Sequence, residues 1–149
     1  VLLTMACALA AMTTDDPADF TGLALLGAAV WVAGFTIEVV SDSQKSSFRA
    51  KPENEGRFID VGLWAWSRHP NYFGEITLWV GIALIALPAL DGWQYLTLIS
   101  PVFVYVLLTR ISGIPLLESR GKKKWGDDPD YQAYKKRTPV LMLRPPRGS

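Results

Sequence analysis

The main pattern along the chain is an alternation of long apolar runs with shorter polar segments. Residues 21–40 contain a single charge, residues 93–109 contain none, and residues 72–90 are uncharged apart from Glu75 near their start. At about 1.5 Å per residue, each run is close to the length needed for a hydrocarbon core of about 30 Å. The pattern therefore predicts three membrane-spanning helices.

A fourth apolar run, residues 1–12, is too short to cross a membrane and begins without Met. It also lacks the basic segment that precedes the apolar part of a cleaved signal peptide. We expect it to be the end of a further helix, and residues 1–149 to be a single membrane domain from which the N-terminal half of the fold is missing. The predicted fold class is all-α: a polytopic membrane helical domain of three to four transmembrane helices, with a cytoplasmic loop and a short C-terminal amphipathic helix.

Charge divides the polar segments into two groups. All 15 Lys and Arg lie in residues 45–68 and 110–147, whereas the connections at 13–20 and 87–93 carry only acidic charges. The positive-inside tendency predicts that both basic segments are cytoplasmic. We expect a multi-pass integral membrane protein, in a bacterial inner membrane, in contact with membrane lipid. The net charge of +1 gives no indication of nucleic-acid binding.

The counts of cysteine and histidine exclude several chemistries. One Cys and one His provide neither a disulfide framework nor the usual ligands of a zinc site, so no metal is expected. The sequence also lacks a glycine-rich phosphate loop. A nucleotide would therefore have to bind without a Rossmann fold.

The first group of candidate residues follows the first apolar run. Glu38 lies near its end, and Asp42 follows one turn later on the same helical face. A carboxylate inside a membrane is a functional candidate, although its side chain can also reach the interface. Residues 41–62 are predicted to form a cytoplasmic loop, in which Arg49 and Arg57 can hold an anion such as a phosphate.

The second group is the sequence SRHPNYFGE, at the start of the next apolar run. Pro70 suits the first turn of a helix, so the helix is predicted to run from this point with free N–H groups facing the cytoplasmic segments. An aromatic belt at the membrane surface explains Trp64, Trp66 and Tyr72, but not the crowding of charged and amide side chains. The candidates in this turn are Arg68, His69, Asn71, Tyr72 and Glu75.

The third group follows the last apolar run. Glu118 comes after a Gly-Ile-Pro break, and GDDP then predicts a short helix with Asp128 as N-cap and Pro129 in the first turn. Three basic residues before Thr138 suit the C-terminal end of that helix. Tyr131 lies on it, either packing against the membrane face or reaching a bound ligand.

These segments carry a resemblance to a known family. The chain resembles the C-terminal half of the membrane 3-oxo-5-alpha-steroid 4-dehydrogenase (steroid 5-alpha-reductase) family, particularly bacterial relatives of undefined substrate. The segments that carry the resemblance are, in order, SDSQKSSF, GLWAWSRHPNYFGEI, SGIPLLE and DYQAYKKRTP. The resemblance implies a seven-helix membrane enzyme that binds NADPH at the cytoplasmic ends of its C-terminal helices. It implies reduction of the C=C bond of an enone-type lipid or steroid-like substrate.

The resemblance also implies roles for individual residues. Asp42, Arg49, Arg57, Asn71 and Tyr131 match nucleotide-contacting positions, and Glu75 matches a position that faces the nicotinamide. Glu38 departs from the family pattern, in which Asn stands one turn before the Asp. The predicted cofactor-binding set is Glu38, Asp42, Arg49, Arg57, Arg68, His69, Asn71, Tyr72, Glu75, Glu118 and Tyr131.

The catalytic group is expected outside this chain. In the resembled enzymes, the Tyr and Glu that polarise the substrate ketone belong to the N-terminal half. Within this chain, Glu75 is the candidate for a side chain that lies beside the nicotinamide ring of the cofactor.

Two alternatives stay open from the sequence. The elements Arg-His-Pro, Glu118 and the late aromatic segment are also similar to isoprenylcysteine carboxyl methyltransferases, which implies S-adenosylmethionine as the cofactor. Those enzymes usually carry a second Glu where this chain has Ser119. A non-catalytic membrane scaffold is the other alternative, because a fold shared by many proteins does not establish a function.

Overall fold

The computed structural model describes residues 4–13 and 22–146, and within these ranges it is helical, without β-strands. The helices are α1 (Ala6–Met12), α2 (Gly22–Arg49), α3 (Pro70–Ala86), α4 (Ile99–Val106), α5 (Ile114–Trp125) and α6 (Pro129–Arg137). Short 3₁₀ segments lie at Pro52–Asn54, Gly62–Ala65, Leu87–Ala89 and Gly92–Leu98, and a π-helical turn at Leu107–Ile111.

Among the described residues, three stretches are long and apolar enough to cross a membrane: Gly22–Arg49, Pro70–Ala89 and Gly92–Trp125. The predicted all-α membrane fold is confirmed. Within its described part, the fourth apolar run contains α1, a helix of seven residues that packs against α3 and the segment Gly92–Leu98. The predicted charge asymmetry partly depends on three residues that lie outside the described ranges, Asp15, Asp16 and Asp19.

The predicted loop over residues 41–62 is wrong for its first part, because α2 continues to Arg49. No Gly or Pro interrupts the sequence between the apolar run and Pro52. The polar end of the helix also has partners in the turn before α3. The indole nitrogen of Trp64 donates to the Ser41 carbonyl at 2.9 Å, and the Leu63 amide donates to Gln44 Oε1 at 2.9 Å.

Glycines bring α2 and α3 into direct backbone contact. Gly27 and Gly34 on α2 face Gly81 and Gly74 on α3, in antiparallel register. A Cβ built on Gly27 would lie 2.9 Å from the Gly81 carbonyl, and one built on Gly74 would lie 2.7 Å from the Gly34 carbonyl. Small residues allow this approach in membrane helix pairs. The contact places the polar end of α2 beside the first turn of α3.

The third span is interrupted rather than uniform. The π-helical turn Leu107–Ile111 is followed by a break at Ser112 and Gly113, as the Gly-Ile-Pro sequence predicts. The chain then forms α5, a helix that the sequence pattern did not indicate. The predicted C-terminal helix is confirmed as α6, with the Asp128 side chain accepting from the Asp130 amide at 2.9 Å.

The chain after α6 returns to the turn before α3. The Arg68 amide donates to the Pro139 carbonyl at 2.8 Å, and the Arg144 amide donates to the Trp66 carbonyl at 3.0 Å. The Ser67 hydroxyl donates to the Leu141 carbonyl at 2.9 Å. These bonds hold the backbone of residues 66–69 in place independently of the side chains of Arg68 and His69.

Candidate functional site

A cavity of about 530 Å³ lies where the polar ends of the helices meet. Its walls come from the last turns of α2, residues 54–59, the turn before α3, α5 and α6. This volume is in the range of small-molecule and cofactor sites. The polar ends of the helices and the segments that connect them therefore line a space large enough for a cofactor.

Positive charge dominates the wall of this cavity. The basic lining residues are Lys45, Arg49, Arg57, Arg68, Arg120 and Lys124, and the carboxylates are Glu55 and Glu118. Guanidinium groups bind carboxylates and phosphates through paired hydrogen bonds. The excess of basic groups favours an anionic ligand.

An aromatic cluster forms the opposite wall. The Phe58 ring lies 5.2 Å from Tyr131, 5.4 Å from Tyr134 and 6.0 Å from Trp125, measured between ring centroids. The Trp125 indole donates to the Gly56 carbonyl at 2.6 Å, and Gly56 has a φ of 77°, which favours glycine. These contacts fix the segment 54–59 across the ends of α5 and α6.

Tyr134 and Trp64 connect this wall to α2. The Tyr134 hydroxyl donates to the Trp64 carbonyl at 2.7 Å, and the Lys45 ammonium lies 4.7 Å from the centre of the Trp64 ring. Burial raises the pKa of the Tyr134 phenol, and burial also raises that of Tyr131. Both phenols therefore keep their protons at neutral pH.

Arg68, His69 and Glu118 form one network at the base of the cavity. Arg68 Nη1 is 2.7 Å from Glu118 Oε2, and His69 Nε2 is 3.0 Å from Glu118 Oε1. Arg68 Nε and His69 Nδ1 are buried, and neither has a hydrogen-bond partner within the described structure. A carboxylate from α5 thus holds two neighbouring side chains of the turn before α3.

The remaining predicted residues gather at the junction of α2 and α3, outside the lining of the cavity. Glu38 lies beside Gly74, and its carboxylate experiences repulsion from Glu75 and Asp42. The Tyr72 ring stacks on His69, with centroids 5.8 Å apart. The tyrosine therefore connects the acidic junction to the network at the base of the cavity.

The structure thus divides the predicted site residues into two neighbouring groups. The cavity is lined by Arg49, Arg57, Arg68, His69, Glu118 and Tyr131. The junction beside it holds Glu38, Asp42, Asn71, Tyr72 and Glu75. A cofactor site between residues 42–68, the start of α3 and the short C-terminal helix stays a prediction; the cavity is lined by residues within 45–69 and by residues of α5 and α6.

Sequence reasoning missed part of the cavity. Trp64 was interpreted as a residue of the membrane surface, but its side chain is buried and lines the cavity. Phe58, Trp125, Arg120 and Lys124 also line it. The isolated aromatic Phe58 in a charged segment was the signal that could have indicated a buried partner. Within the described residues, no cluster of three or more His, Cys, Asp or Glu is arranged to hold a metal ion.

The sequence is similar to one protein family and to known proteins. Over residues 1–138 the sequence matches the profile of a family described as "Protein of unknown function (DUF1295)". The 3-oxo-5-alpha-steroid 4-dehydrogenase 1 of Bos taurus is 33% identical over 87 residues, which cover 58% of this chain and 32% of that protein. The Delta(14)-sterol reductase of Neurospora crassa is 34% identical over 90 residues, which cover 51% of this chain and 18% of that protein.

The chain therefore spans about a third of one relative's length and about a fifth of the other's. No solved structure matches it.

Proposed function

The chain belongs to the DUF1295 family, which is steroid 5-alpha-reductase-like, and on this premise we propose that the full-length protein is an NADPH-dependent membrane reductase. Its substrate is a steroid- or sterol-like lipid with a reducible C=C bond, such as an enone. In this proposal the cavity between α2, α5 and α6 binds the nucleotide. The observation that carries the proposal is the excess of basic side chains in a cavity that also has an aromatic wall.

The residues present fit this nucleotide. Arg49, Arg57 and Arg120 can hold its diphosphate and 2′-phosphate through charged hydrogen bonds. The cluster around Phe58 offers ring faces and edges to the adenine. Arg68 Nε and His69 Nδ1 are buried without partners among the described residues, and a polar ligand would satisfy both atoms.

The bound nucleotide would supply a hydride to the lipid. The chain's own residues bind it, orient it and exclude water from one side. The acidic junction of Glu38, Asp42 and Glu75 lies next to this site, and Glu75 is the residue of the junction proposed to lie beside the reactive ring. The group that donates the proton is proposed to belong to another part of the full-length protein.

The charge of the cavity argues against the methyltransferase alternative. S-adenosylmethionine carries a sulfonium, an ammonium and a carboxylate and is therefore a net cation, which six basic side chains against two carboxylates disfavour. A scaffold that binds no ligand does not account for the buried polar atoms that lack hydrogen-bond partners. NADPH is the ligand that both features favour.

The test is a binding titration of the full-length protein in lipid nanodiscs with NADPH and S-adenosylmethionine, side by side. We expect saturable NADPH binding that Arg49→Gln and Arg57→Gln each weaken by about 10-fold, because each removes a charged hydrogen bond. Lys136→Gln removes the same charge from an exposed position of α6 that does not line the cavity. It should change the affinity by less than about 2-fold.

Either of two results would overturn the assignment. If the affinity for NADPH is the same in the wild type and in all three variants, the nucleotide does not bind in this cavity. Tighter binding of S-adenosylmethionine than of NADPH would favour the methyltransferase. If the nucleotide binds as expected, NADPH oxidation with a 3-oxo-4-ene steroid and with a Δ14-sterol tests the substrate class.

A further inference from the structure

Glu118 is the acceptor for two consecutive side chains that come from a distant part of the chain. Its Oε2 lies 2.7 Å from Arg68 Nη1, and its Oε1 lies 3.0 Å from His69 Nε2. Both oxygens of one carboxylate are thus used. Because Glu118 lies on α5, the orientation of both side chains in the turn before α3 depends on a different helix.

This geometry determines the tautomer of His69. An ionised carboxylate can only accept hydrogen bonds, so the ring nitrogen facing it must carry a hydrogen. The proton of the neutral ring therefore resides on Nε2, and Nδ1 keeps a free lone pair. Without Glu118, none of the contacts that His69 makes within the described residues selects this tautomer.

In each of the two side chains, a further nitrogen has no hydrogen-bond partner within the described residues. Arg68 Nε is a donor and His69 Nδ1 is an acceptor; both are buried, and neither has a partner within the described structure. The His69 side chain is only 6% exposed, and both residues line the cavity. Buried polar atoms without partners are costly, so a ligand that pairs with them binds more tightly.

We infer that Glu118 is a positioning residue, which fixes Arg68 and the Nε2–H tautomer of His69 so that the cavity presents one donor and one acceptor to its ligand. A carboxamide or a sugar hydroxyl pairs with both atoms, because each contains a donor and an acceptor. A phosphate pairs with Arg68 Nε but offers no hydrogen to His69 Nδ1. The matching ligand group is therefore the nicotinamide carboxamide or a ribose hydroxyl, and this part alone rests on the proposed function.

The tautomer can be measured without any ligand. His69 is the single histidine of the chain, and the full-length protein labelled with ¹⁵N-histidine gives its ring signals by difference from a His69→Gln sample. We expect a protonated Nε2 and an unprotonated Nδ1 at a pH where the ring is neutral. In Glu118→Gln, the new amide can donate to Nε2, so the proton should move to Nδ1 in part or completely.

A matched control is Glu53→Gln, which removes a carboxylate from an exposed position outside the lining of the cavity. It should keep the wild-type tautomer. Both variants should fold, because the backbone of residues 66–69 is held by carbonyls of Pro139 and Leu141. An unchanged tautomer in Glu118→Gln would overturn the positioning role.

Addition of NADPH tests the second half of the inference. We expect the Nδ1 signal of the wild type to shift, and Glu118→Gln to weaken NADPH binding by about 10-fold, whereas Glu53→Gln changes it by less than about 2-fold. Saturable binding with an unmoved Nδ1 signal would overturn the contact between the nucleotide and His69. Absence of NADPH binding in the wild type would refute the proposed function, while the ligand-free tautomer result would still decide the positioning role.

Discussion

Replacing Gly81 by Ala should force α3 away from α2. The added Cβ would lie 2.5 Å from the Trp31 amide nitrogen and 2.8 Å from both the Gly27 carbonyl oxygen and the Trp31 Cα. All three are backbone atoms, so no change of side-chain rotamer relieves the contact. To reach an ordinary contact of 3.4 Å, the closest pair must separate by 3.4 − 2.5 = 0.9 Å.

The size of the effect follows from two opposing contributions. Overpacking of this kind costs about 1–3 kcal/mol, whereas Ala in place of Gly within a helix contributes about 0.5–1 kcal/mol in the other direction. The expected net loss in the free energy of unfolding is roughly 0–2.5 kcal/mol, about 1 kcal/mol at the midpoints of the two ranges. Gly22→Ala is the matched control, because nothing lies within 4 Å of its added Cβ.

The assay is equilibrium unfolding of the full-length protein in mixed micelles, followed by tryptophan fluorescence. Gly81→Ala should unfold at a lower denaturing detergent fraction than the wild type, and Gly22→Ala at an equal or higher one. Gly81→Ala with the same stability as Gly22→Ala would refute the close backbone approach of α2 and α3.

Two further predictions concern the aromatic wall. Tyr134→Phe removes the hydrogen bond to the Trp64 carbonyl and should cost about 1 kcal/mol of stability. Because burial raises the pKa of Tyr134 above its ordinary value of about 10, the neutral phenol stabilises the fold below about pH 10. This contribution is lost as the pH rises through the folded-state pKa, so alkaline unfolding titrations should fall less steeply for Tyr134→Phe than for the wild type. Trp125→Phe removes the hydrogen bond to Gly56, and amide exchange measured by mass spectrometry should become roughly fivefold faster in residues 54–58.

Each of these variants has a control within the chain. Tyr131→Phe removes a buried phenol whose hydroxyl makes no hydrogen bond within the described residues, and its stability should match that of the wild type near neutral pH within about 0.5 kcal/mol. Trp93→Phe changes an indole that is 77% exposed and should leave exchange in residues 54–58 unchanged. Equal effects of Tyr134→Phe and Tyr131→Phe, or of Trp125→Phe and Trp93→Phe, would contradict the contacts assigned to the wall.

The parts of the fold that depend on local sequence were predictable. Long apolar runs predict the spans, and Pro70, Asp128 and Pro129 mark the helix starts that the structure contains. The continuation of α2 to Arg49 was not predictable in this way. Its last turns are polar, and their partners lie in the turn near Trp64, more than ten residues further along the chain.

The candidate site shows the same division between local and distant information. The crowding of Arg68 and His69 next to Pro70 is visible in the sequence, but their pairing with Glu118 spans about fifty positions and depends on α5. The contact between Gly27 and Gly81 likewise depends on the antiparallel register of α2 and α3. Spacing alone identifies neither pair, because both arise only when separate helices pack.

In the proposed function, the length of α2 separates the position at which the nucleotide binds from the position at which the lipid substrate reaches the protein. Its 28 residues extend about 42 Å at about 1.5 Å per residue, which exceeds a hydrocarbon core of about 30 Å by roughly 12 Å. The excess corresponds to the polar turns that carry Lys45 and Arg49. A charged, water-soluble molecule can therefore enter and leave the cavity from the aqueous side, while a lipid molecule diffuses to the same helices within the bilayer, and neither has to cross the solvent preferred by the other.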